Sequence, residues 1–173
     1  MLFRSGIGVA QQGGASMPTD NLNLEADRGN SDLLVPHSFV TSGLVDLPLG
    51  LKFSGVSRLN SGVYFTAYCY PNDVDGDGIS QLTCPGTKRN QFRGPMTYNL
   101  DLRLLKRFKI REHFSTSVLA EVFNLTNARN PSQIENFMVL GAGGTTFTPG
   151  PNFGGTLTPL PGREAQFGLK FEF

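Results

Sequence analysis

The last eleven residues of the chain carry the strictest pattern in the sequence. Apolar side chains occupy every second position: Ala165, Phe167, Leu169, Phe171 and Phe173. Polar residues or glycine stand between them. An apolar repeat of two residues puts alternate side chains on opposite faces of a β-strand, whereas a helix requires a repeat near 3.6 residues. The sequence therefore predicts a final strand over residues 163–173 with one apolar face.

The same period recurs in earlier parts of the chain. It appears in four further segments, residues 37–47, 51–59, 96–108 and 114–125. The second segment resumes at residues 64–68 after Gly62, which predicts one long strand bent at a glycine. A helical period appears only weakly, at residues 132–140. The predicted fold class is all-β, an antiparallel meander.

The lengths of the predicted strands and loops indicate which kind of antiparallel meander the chain forms. The predicted strands run to about ten residues, longer than the five or six of most sheets and long enough to cross a bilayer when tilted. Short turns at 48–50 and 109–113 alternate with long loops at 69–95 and 126–162. That alternation is typical of an outer-membrane barrel. A soluble β-sandwich has the same period around a buried core, so periodicity alone leaves both folds open.

Composition excludes other classes of protein. The 173 residues include 15 basic and 14 acidic side chains, and this balance gives no electrostatic reason to expect nucleic-acid binding. No apolar run approaches the length of a transmembrane helix. Residues 1–35, rich in Gly, Asn and Asp, are predicted to form a loop or N-terminal extension before the strands of residues 36–173.

An acidic run is the strongest candidate for a metal site. Asp73, Asp75 and Asp77 alternate before Gly78, as at the start of a calcium loop. Position twelve of such a loop is Cys84 instead of the closing glutamate, and no helix is predicted on either side. A solvated turn favours the same residue types. The sequence leaves both readings open, and Ca²⁺ is the one cofactor it suggests.

Two cysteines, Cys69 and Cys84, flank the acidic run. In an exported protein such a pair is expected to form a disulfide, worth about 3 kcal/mol for a loop of this size. The alternatives are free thiols, or metal ligation together with His37 or His113. The spacing is not that of a zinc-binding CxxC pair.

The remaining polar residues indicate no catalysis. The chain has no GxSxG motif, no P-loop and no GxGxxG between a strand and a helix, so we expect no enzymatic activity. The charged residues that the alternation places opposite the apolar ones are Asp101, Arg103, Glu121, Lys170 and Glu172. In a barrel they would face the lumen and form cross-strand ion pairs or contact a plug. In a soluble protein they would lie on a solvated sheet face.

Several short motifs of the chain occur together in an order that is found in one protein family. A strand from Gly55 to Gly62 precedes the acidic glycine loop DVDGDG at residues 73–78. The later motifs are RNQFRGP at 89–95, NLDLRL at 99–104, AEVFNLTN at 120–127 and GREAQFGL at 162–169. In this order and spacing, residues 32–173 resemble the C-terminal barrel portion of TonB-dependent receptors of the Oar-like kind, which have a carboxypeptidase-regulatory-like N-terminal domain. Thr126 departs from the aromatic residue usual there.

The terminal strand adds to this resemblance. Its final Phe173 and alternating apolar residues resemble the C-terminal signal by which bacterial outer-membrane barrels are recognised for assembly. Pairing of an exposed strand edge with another sheet is the physical basis of such recognition. Under this resemblance Phe167, Leu169, Phe171 and Phe173 form an assembly signal and part of a lipid-facing surface.

The resemblance implies a location in the outer membrane and a role in substrate uptake. The expected partners are outer-membrane lipid, the remainder of the barrel with its plug, the barrel-assembly machinery, and the TonB system through an N-terminal part. Such receptors have about 22 strands, and a bacterial barrel needs an even number of at least eight. With about five predicted strands, the chain is expected to be a C-terminal fragment that does not function alone.

Two alternatives to this interpretation come from other classes of protein. The first is a small secreted soluble β-domain that binds Ca²⁺ or a glycan through its long loops. The second is a self-assembling outer-membrane protein made from several short chains.

In the barrel interpretation, the short turns at 48–50 and 109–113 lie in the periplasm and both long loops lie outside the cell.

Overall fold

The computed structural model describes residue 25 and residues 28–69, 83–111, 114–141 and 146–172. The strands are β1 (Ser38–Leu47), β2 (Leu51–Asn60), β3 (Tyr64–Phe65), β4 (Tyr68–Cys69), β5 (Phe92–Arg93), β6 (Thr97–Arg111), β7 (Phe114–Phe123), β8 (Pro131–Ile134), β9 (Phe137–Leu140), β10 (Phe147–Pro149), β11 (Thr156–Pro159) and β12 (Glu164–Glu172). A 3₁₀ turn, Pro48–Gly50, joins β1 to β2. The predicted all-β fold class is confirmed. Within the described ranges, no helix has the length and apolar character needed to cross a membrane.

The long strands form one antiparallel sheet in the order β1-β2-β6-β7-β12. This sheet is open, since β1 and β12 stand at its two ends within the described residues. It belongs to one of two compact units of the chain, made from His37–Asn60, Met96–Asn130 and Pro159–Phe173. We call it the main sheet. An open antiparallel sheet of long strands is what a partial barrel contains.

The register of the main sheet sorts side chains into rows. One row crosses all five strands and joins Val45, Phe53, Leu104, Ala120 and Phe167 as direct partners. The adjacent row joins Leu44, Ser54, Arg103, Glu121 and Gln166. Directly opposed residues of an antiparallel pair lie on the same face. The period of two therefore gives the sheet one mainly apolar face and one mainly polar face.

The tight turn between β1 and β2 depends on its backbone. Leu49 and Gly50 have φ values of 65° and 74°, in the left-handed region. A Cβ atom added at Gly50 would lie 3.3 Å from the carbonyl oxygen of Arg107. Glycine therefore suits this position both for its conformation and for its close approach to β6.

Two predicted strand ends differ from the structure. The prediction extended the fourth strand to residue 125, but β7 ends at Phe123 because Asn124 turns the chain with a φ of 48°. The Asn124 side chain exchanges two hydrogen bonds of 3.0 Å with the backbone of Ala128, and such local bonding competes with a sheet ladder. At the other end of this hairpin, β6 runs on to Arg111 instead of stopping at residue 108.

One other sequence-based expectation is wrong, and one weak helical signal in the sequence does not correspond to a helix. Residues 51–68 do not form one bent strand, because β2 ends at Asn60 and β3 pairs locally with β5. A Cβ at Gly62 would overlap the carbonyl of Gly94, so the backbones approach too closely there for any larger residue. Residues 132–140 are not helical: β8 pairs with β11, and β9 pairs with β10 and β4. Tertiary pairing overrides the weak local helical period.

The second compact unit comes from the predicted long loops. It contains Ser61–Pro95 and Pro131–Thr158 together with the described residues up to Pro36. We call it the loop unit. Its small sheets have the orders β10-β9-β4, β11-β8 and β3-β5. Because β4 pairs with β9 in parallel, the two long connections are hydrogen-bonded to each other. The sequence predicted residues 69–95 and 126–162 only as loops, and residues 64–68 as a continuation of the second strand.

The loop unit has its own buried core. Ala67, Cys69, Cys84 and Met138 are buried together. Beside Phe65, the rings of Phe92 and Phe153 meet edge to face with centroids 5.0 Å apart, a favoured aromatic geometry. This buried core gives the two long connections a defined structure.

The structure joins Cys69 and Cys84 by a disulfide, with their Cα atoms 5.1 Å apart and both residues fully buried. The thiols are therefore neither free nor available as metal ligands.

Hydrogen bonds of Asn90 add to the order of the loop unit. Buried Asn90 exchanges hydrogen bonds of 2.9 Å with the hydroxyl of Thr66 and donates one to the carbonyl of Asn30.

Replacing both cysteines by serine should destabilise the loop unit by about 3 kcal/mol, because the cross-link limits the conformations of the unfolded segment. Hydrogen exchange of the Cys84 amide, which donates to the Ala67 carbonyl at 3.0 Å, measures the effect. Reduction of the native chain should give the same increase in exchange. Amides between β2 and β6 serve as the internal control, and equal acceleration there would contradict a local role.

Candidate functional site

The apolar face of the main sheet is the largest candidate site. Its apolar members come from all five strands: Phe39, Val45, Leu47, Leu51, Phe53, Leu59, Leu100, Leu102, Leu104, Phe108, Val118, Val122, Ala165, Phe167, Leu169 and Phe171. Many of these side chains are exposed, with Phe167 at 83%, Leu169 at 67% and Phe39 at 65%. In a soluble sandwich such residues would be buried against a second sheet. A continuous exposed apolar face of this kind fits contact with hydrocarbon.

The predicted assembly and lipid-face residues follow this arrangement. Phe167, Leu169 and Phe171 project from β12 on the apolar face and are exposed. The last predicted member, Phe173, lies outside the described residues. At the opposite end of the sheet, Phe39 and Val45 of β1 occupy the same face. The two end strands are therefore both apolar on this side.

Strand β6 gives the height of the apolar face. Tyr98 and Phe108 lie ten positions apart on it, with Leu100, Leu102 and Leu104 and then Lys106 at the alternate positions between them. Ten residues extend about 33 Å along a strand, or about 25 Å across a membrane at the usual tilt, which matches the apolar band of a barrel. The Lys106 ammonium lies 5.3 Å from the centroid of the Phe108 ring. Aromatic and basic side chains of this kind suit a membrane interface.

The polar face carries ion pairs across the strands. All five charged residues that the sequence placed there lie on this face: Asp101, Arg103, Glu121, Lys170 and Glu172. Each of them forms an ion pair with a residue on the same face. At the turn end of the β1–β2 hairpin, Lys52 lies 2.7 Å from Asp46.

Asp101 connects three elements at the end of the main sheet that leads into the long connections. Its carboxylate accepts a hydrogen bond from Arg58 at 3.2 Å and another from Asn99 at 2.7 Å. The second carboxylate oxygen accepts the backbone amide of Asn124 at 3.0 Å. One side chain thereby links β2 and β6 to the turn that ends β7.

Glu172 has the corresponding role at the short-turn end. Its carboxylate lies 2.8 Å from the Arg107 guanidinium and 2.7 Å from the Lys170 ammonium. The hydroxyl of Ser115 on β7 donates to Glu172 at 3.1 Å and accepts from Arg107 at 3.0 Å. The network joins β6 to β12 across the intervening strand. It holds the last strand at the edge of the sheet.

A third polar row lies between these two clusters. Arg103 and Glu121 are direct partners on β6 and β7, 3.5 Å apart. Gln166 on β12 donates to the same Glu121 carboxylate. The row is adjacent to the apolar row that ends at Phe167. Polar rows and apolar rows thus alternate along the strands while pointing to opposite sides.

A recess of about 400 Å³ opens on the polar face near the long connections. Arg58, Asp101, Phe123 and Glu164 contribute to its lining. Sequence reasoning did not single out Arg58 or Arg107, although both follow the same alternation as Asp101 and Arg103. Their partners are diagonal neighbours or lie two strands away, so only the register reveals them.

The described residues do not test the calcium hypothesis. Asp73, Asp75 and Asp77 lie outside them, and the hypothesis stays a prediction. In the described ranges, no group of three or more potential metal ligands comes together. His37 lies just before β1, and His113 is also outside the described residues.

Comparison with known proteins identifies a family for this chain. A family model described as an outer membrane beta barrel domain matches residues 53–166, which is more than half of the chain. The matched range begins within β2 and ends within β12. No curated protein and no solved structure matches the chain.

The two faces should respond oppositely to the same new charge. Arginine at position 167 would enter hydrocarbon near the middle of the apolar face, at a cost of about 2–4 kcal/mol. Q166R, on the polar face, should cost less than about 1 kcal/mol because Glu121 is its neighbour. Chemical unfolding of F167R and Q166R from lipid vesicles measures both changes. Equal destabilisation would contradict the assignment of the faces.

The Arg107–Glu172 pair should show a modest coupling energy. Both side chains are partly exposed, so a double-mutant cycle with R107A and E172A should give about 0.2–1 kcal/mol. High salt should reduce the coupling. The combination of R107A with E164A is the matched control, because Glu164 lies at the opposite end of β12 from Glu172. Coupling of similar size in both cycles would argue against a specific pair.

Proposed function

This chain belongs to the outer membrane β-barrel domain family and is located in the outer membrane, and we propose that its main sheet is a wall segment of a TonB-dependent receptor. Such receptors import a substrate through a barrel closed by a plug. The observation that carries the proposal is the two-faced open sheet, with exposed apolar residues on one side and an ion-paired polar surface on the other. The motif resemblance supports the receptor class.

The size of the barrel is part of the proposal. The five strands that the described residues contribute to the main sheet are too few to enclose a lumen, since bacterial barrels contain an even number of eight or more. A receptor barrel of about 22 strands accommodates a five-stranded wall segment and leaves room for a plug. We propose that the rest of this barrel and its plug are the main partners of the chain.

The proposed orientation follows the connections between strands. The short turns of outer-membrane barrels face the periplasm and the long loops face outward. On that basis Pro48–Gly50 and the β6–β7 turn lie in the periplasm, with the basic stretch 106–111 at the inner rim. Both long connections between the strands lie outside the cell, an oxidising environment in which the Cys69–Cys84 disulfide forms.

The polar face has two tasks in this mechanism. It forms a hydrated lumen wall against which a plug rests, and its mutual ion pairs leave little net charge to attract substrate nonspecifically. The energy for transport comes from the TonB system through the plug, so the barrel wall contributes rigidity and a path for the substrate. The edge of β12, with Phe167, Leu169 and Phe171, is the proposed contact of the barrel-assembly machinery.

Cysteine variants of neighbouring residues test the proposal in cells. Q166C should become cross-linked to a plug peptide by a bifunctional reagent, and mass spectrometry identifies the peptide. F167C, the matched control on the other face, should instead react with a lipid-soluble reagent. Free access of water-soluble maleimide to both cysteines, with no plug cross-link, would contradict a receptor wall.

Solubility separates the proposal from the secreted-domain alternative. With so many exposed apolar side chains on one face, the purified chain should need detergent or lipid to remain dispersed. Analytical ultracentrifugation with and without detergent measures this dependence. A cooperatively folded monomer in plain buffer would favour the soluble domain.

A further inference from the structure

One charged side chain interrupts the apolar face of the main sheet. The row that borders the Pro48–Gly50 turn joins one residue from each strand as direct partners: Leu47, Leu51, Lys106, Val118 and Leu169. Four of the five are apolar, and Lys106 stands at the centre. Among the side chains that the structure describes on this face, it is the only charged one. A lysine that faces lipid is unfavourable unless its ammonium reaches a polar environment.

The Lys106 side chain extends toward the short-turn end of the sheet. Its ammonium lies 5.3 Å from the centroid of the Phe108 ring. Phe108 follows two positions later on the same face of β6, about 6.6 Å nearer that end. Because Phe108 marks the edge of the apolar band, the ammonium lies close to the level of the lipid headgroups. The lysine stem can then contact apolar surface while the charge leaves the hydrocarbon.

Lys106 has no acidic partner within the described ranges of the chain. Its direct neighbours on β2 and β7 are Leu51 and Val118, and the recorded contact of its ammonium is the Phe108 ring. By contrast, Lys52 and Lys170 on the polar face are each paired with a carboxylate. The apolar face offers Lys106 no such group among the side chains described there.

The position of β6 in the sheet limits where a counter-ion can come from. Two strands lie on each side of β6, so the remaining wall of a barrel is at least three strands away, or about 14 Å. A plug would lie on the opposite face of the sheet. An anion therefore reaches Lys106 from the lipid side.

The surrounding charge favours an anion at this end of the sheet. The rows at residues 105–109 of β6 contain five basic side chains and two acidic ones, in the part of the chain that is described: Lys52, Lys106, Arg107, Lys109 and Lys170, with Asp46 and Glu172. Near a membrane surface, each lysine or arginine strengthens binding to anionic lipid about fivefold. Lys106 is the described member of this group that faces lipid.

We propose that Lys106 binds the phosphate of an anionic glycerophospholipid in the periplasmic leaflet of the outer membrane. The inference rests on the proposed function, in which the short-turn end lies in the periplasm, and adds a lipid-binding site to it. The ammonium supplies positive charge and N–H donors to the phosphate oxygens. Phe108, Leu51 and Val118 contact the adjoining acyl chains.

Lipid quenching of a single tryptophan tests this site. The chain contains no tryptophan, so V118W gives one fluorophore beside Lys106. The full chain with V118W is refolded into phosphatidylcholine vesicles that contain an equal fraction of either brominated phosphatidylglycerol or brominated phosphatidylcholine. The ratio of the two quenching efficiencies measures the preference for anionic lipid. K106Q and K109Q are compared in this background, because Lys109 lies on the same strand but on the polar face.

The V118W chain should prefer phosphatidylglycerol about fivefold. K106Q should reduce the ratio to near one, and K109Q should keep it high. Equal quenching by both lipids in V118W, a preserved preference in K106Q, or an equal loss in K109Q would overturn this inference alone. L169W, in the same row, repeats the measurement should V118W not refold. If neither brominated lipid quenches either tryptophan, the apolar face does not meet lipid, and the proposed function fails together with the inference.

Discussion

Antiparallel pairing in a single register is the constraint on which the rest of the structure depends. Each backbone pairing in the main sheet places a row of side chains on one face, and a slip by one residue would exchange the faces. A slip of β6 would bring Arg103 into the position of its apolar neighbour Leu104, and a slip of β12 would turn Phe167 to the polar side. In a membrane the charged residue alone costs about 2–4 kcal/mol near the middle of the bilayer.

The ion pairs of the polar face are best understood in relation to that register. Each is at least partly exposed, so its direct contribution to stability is below about 1 kcal/mol. Their positions matter more than their strength, since Asp101 and Glu172 lie near opposite ends of the sheet and each links three elements. A shifted strand would lose these bonds as well as place charge in lipid. Specificity of pairing is therefore their main physical effect.

The sequence predicted the parts of the fold in which one period extends over many residues. The long strands and the residues of the polar face follow from alternation, and so do Asp101 and Glu121. The loop unit could not be predicted, because strands of two to four residues are too short to show a period. Its parallel pairing of Tyr68 with Phe137 joins positions far apart in the chain. The end of β7 at Asn124 depended on a side-chain hydrogen bond that no period signals.

The loop unit and the main sheet are stabilised by different physical means. In the main sheet, the apolar side chains are exposed and lipid takes the place of a core. In the loop unit, the buried disulfide, the aromatic contacts and the Asn90 hydrogen bonds form a core of the kind found in water-soluble domains. Segments ordered in this way lose less conformational entropy when they bind a ligand than flexible loops of equal length. The chain thus combines a wall that needs a membrane with connections that hold their structure through contacts of their own.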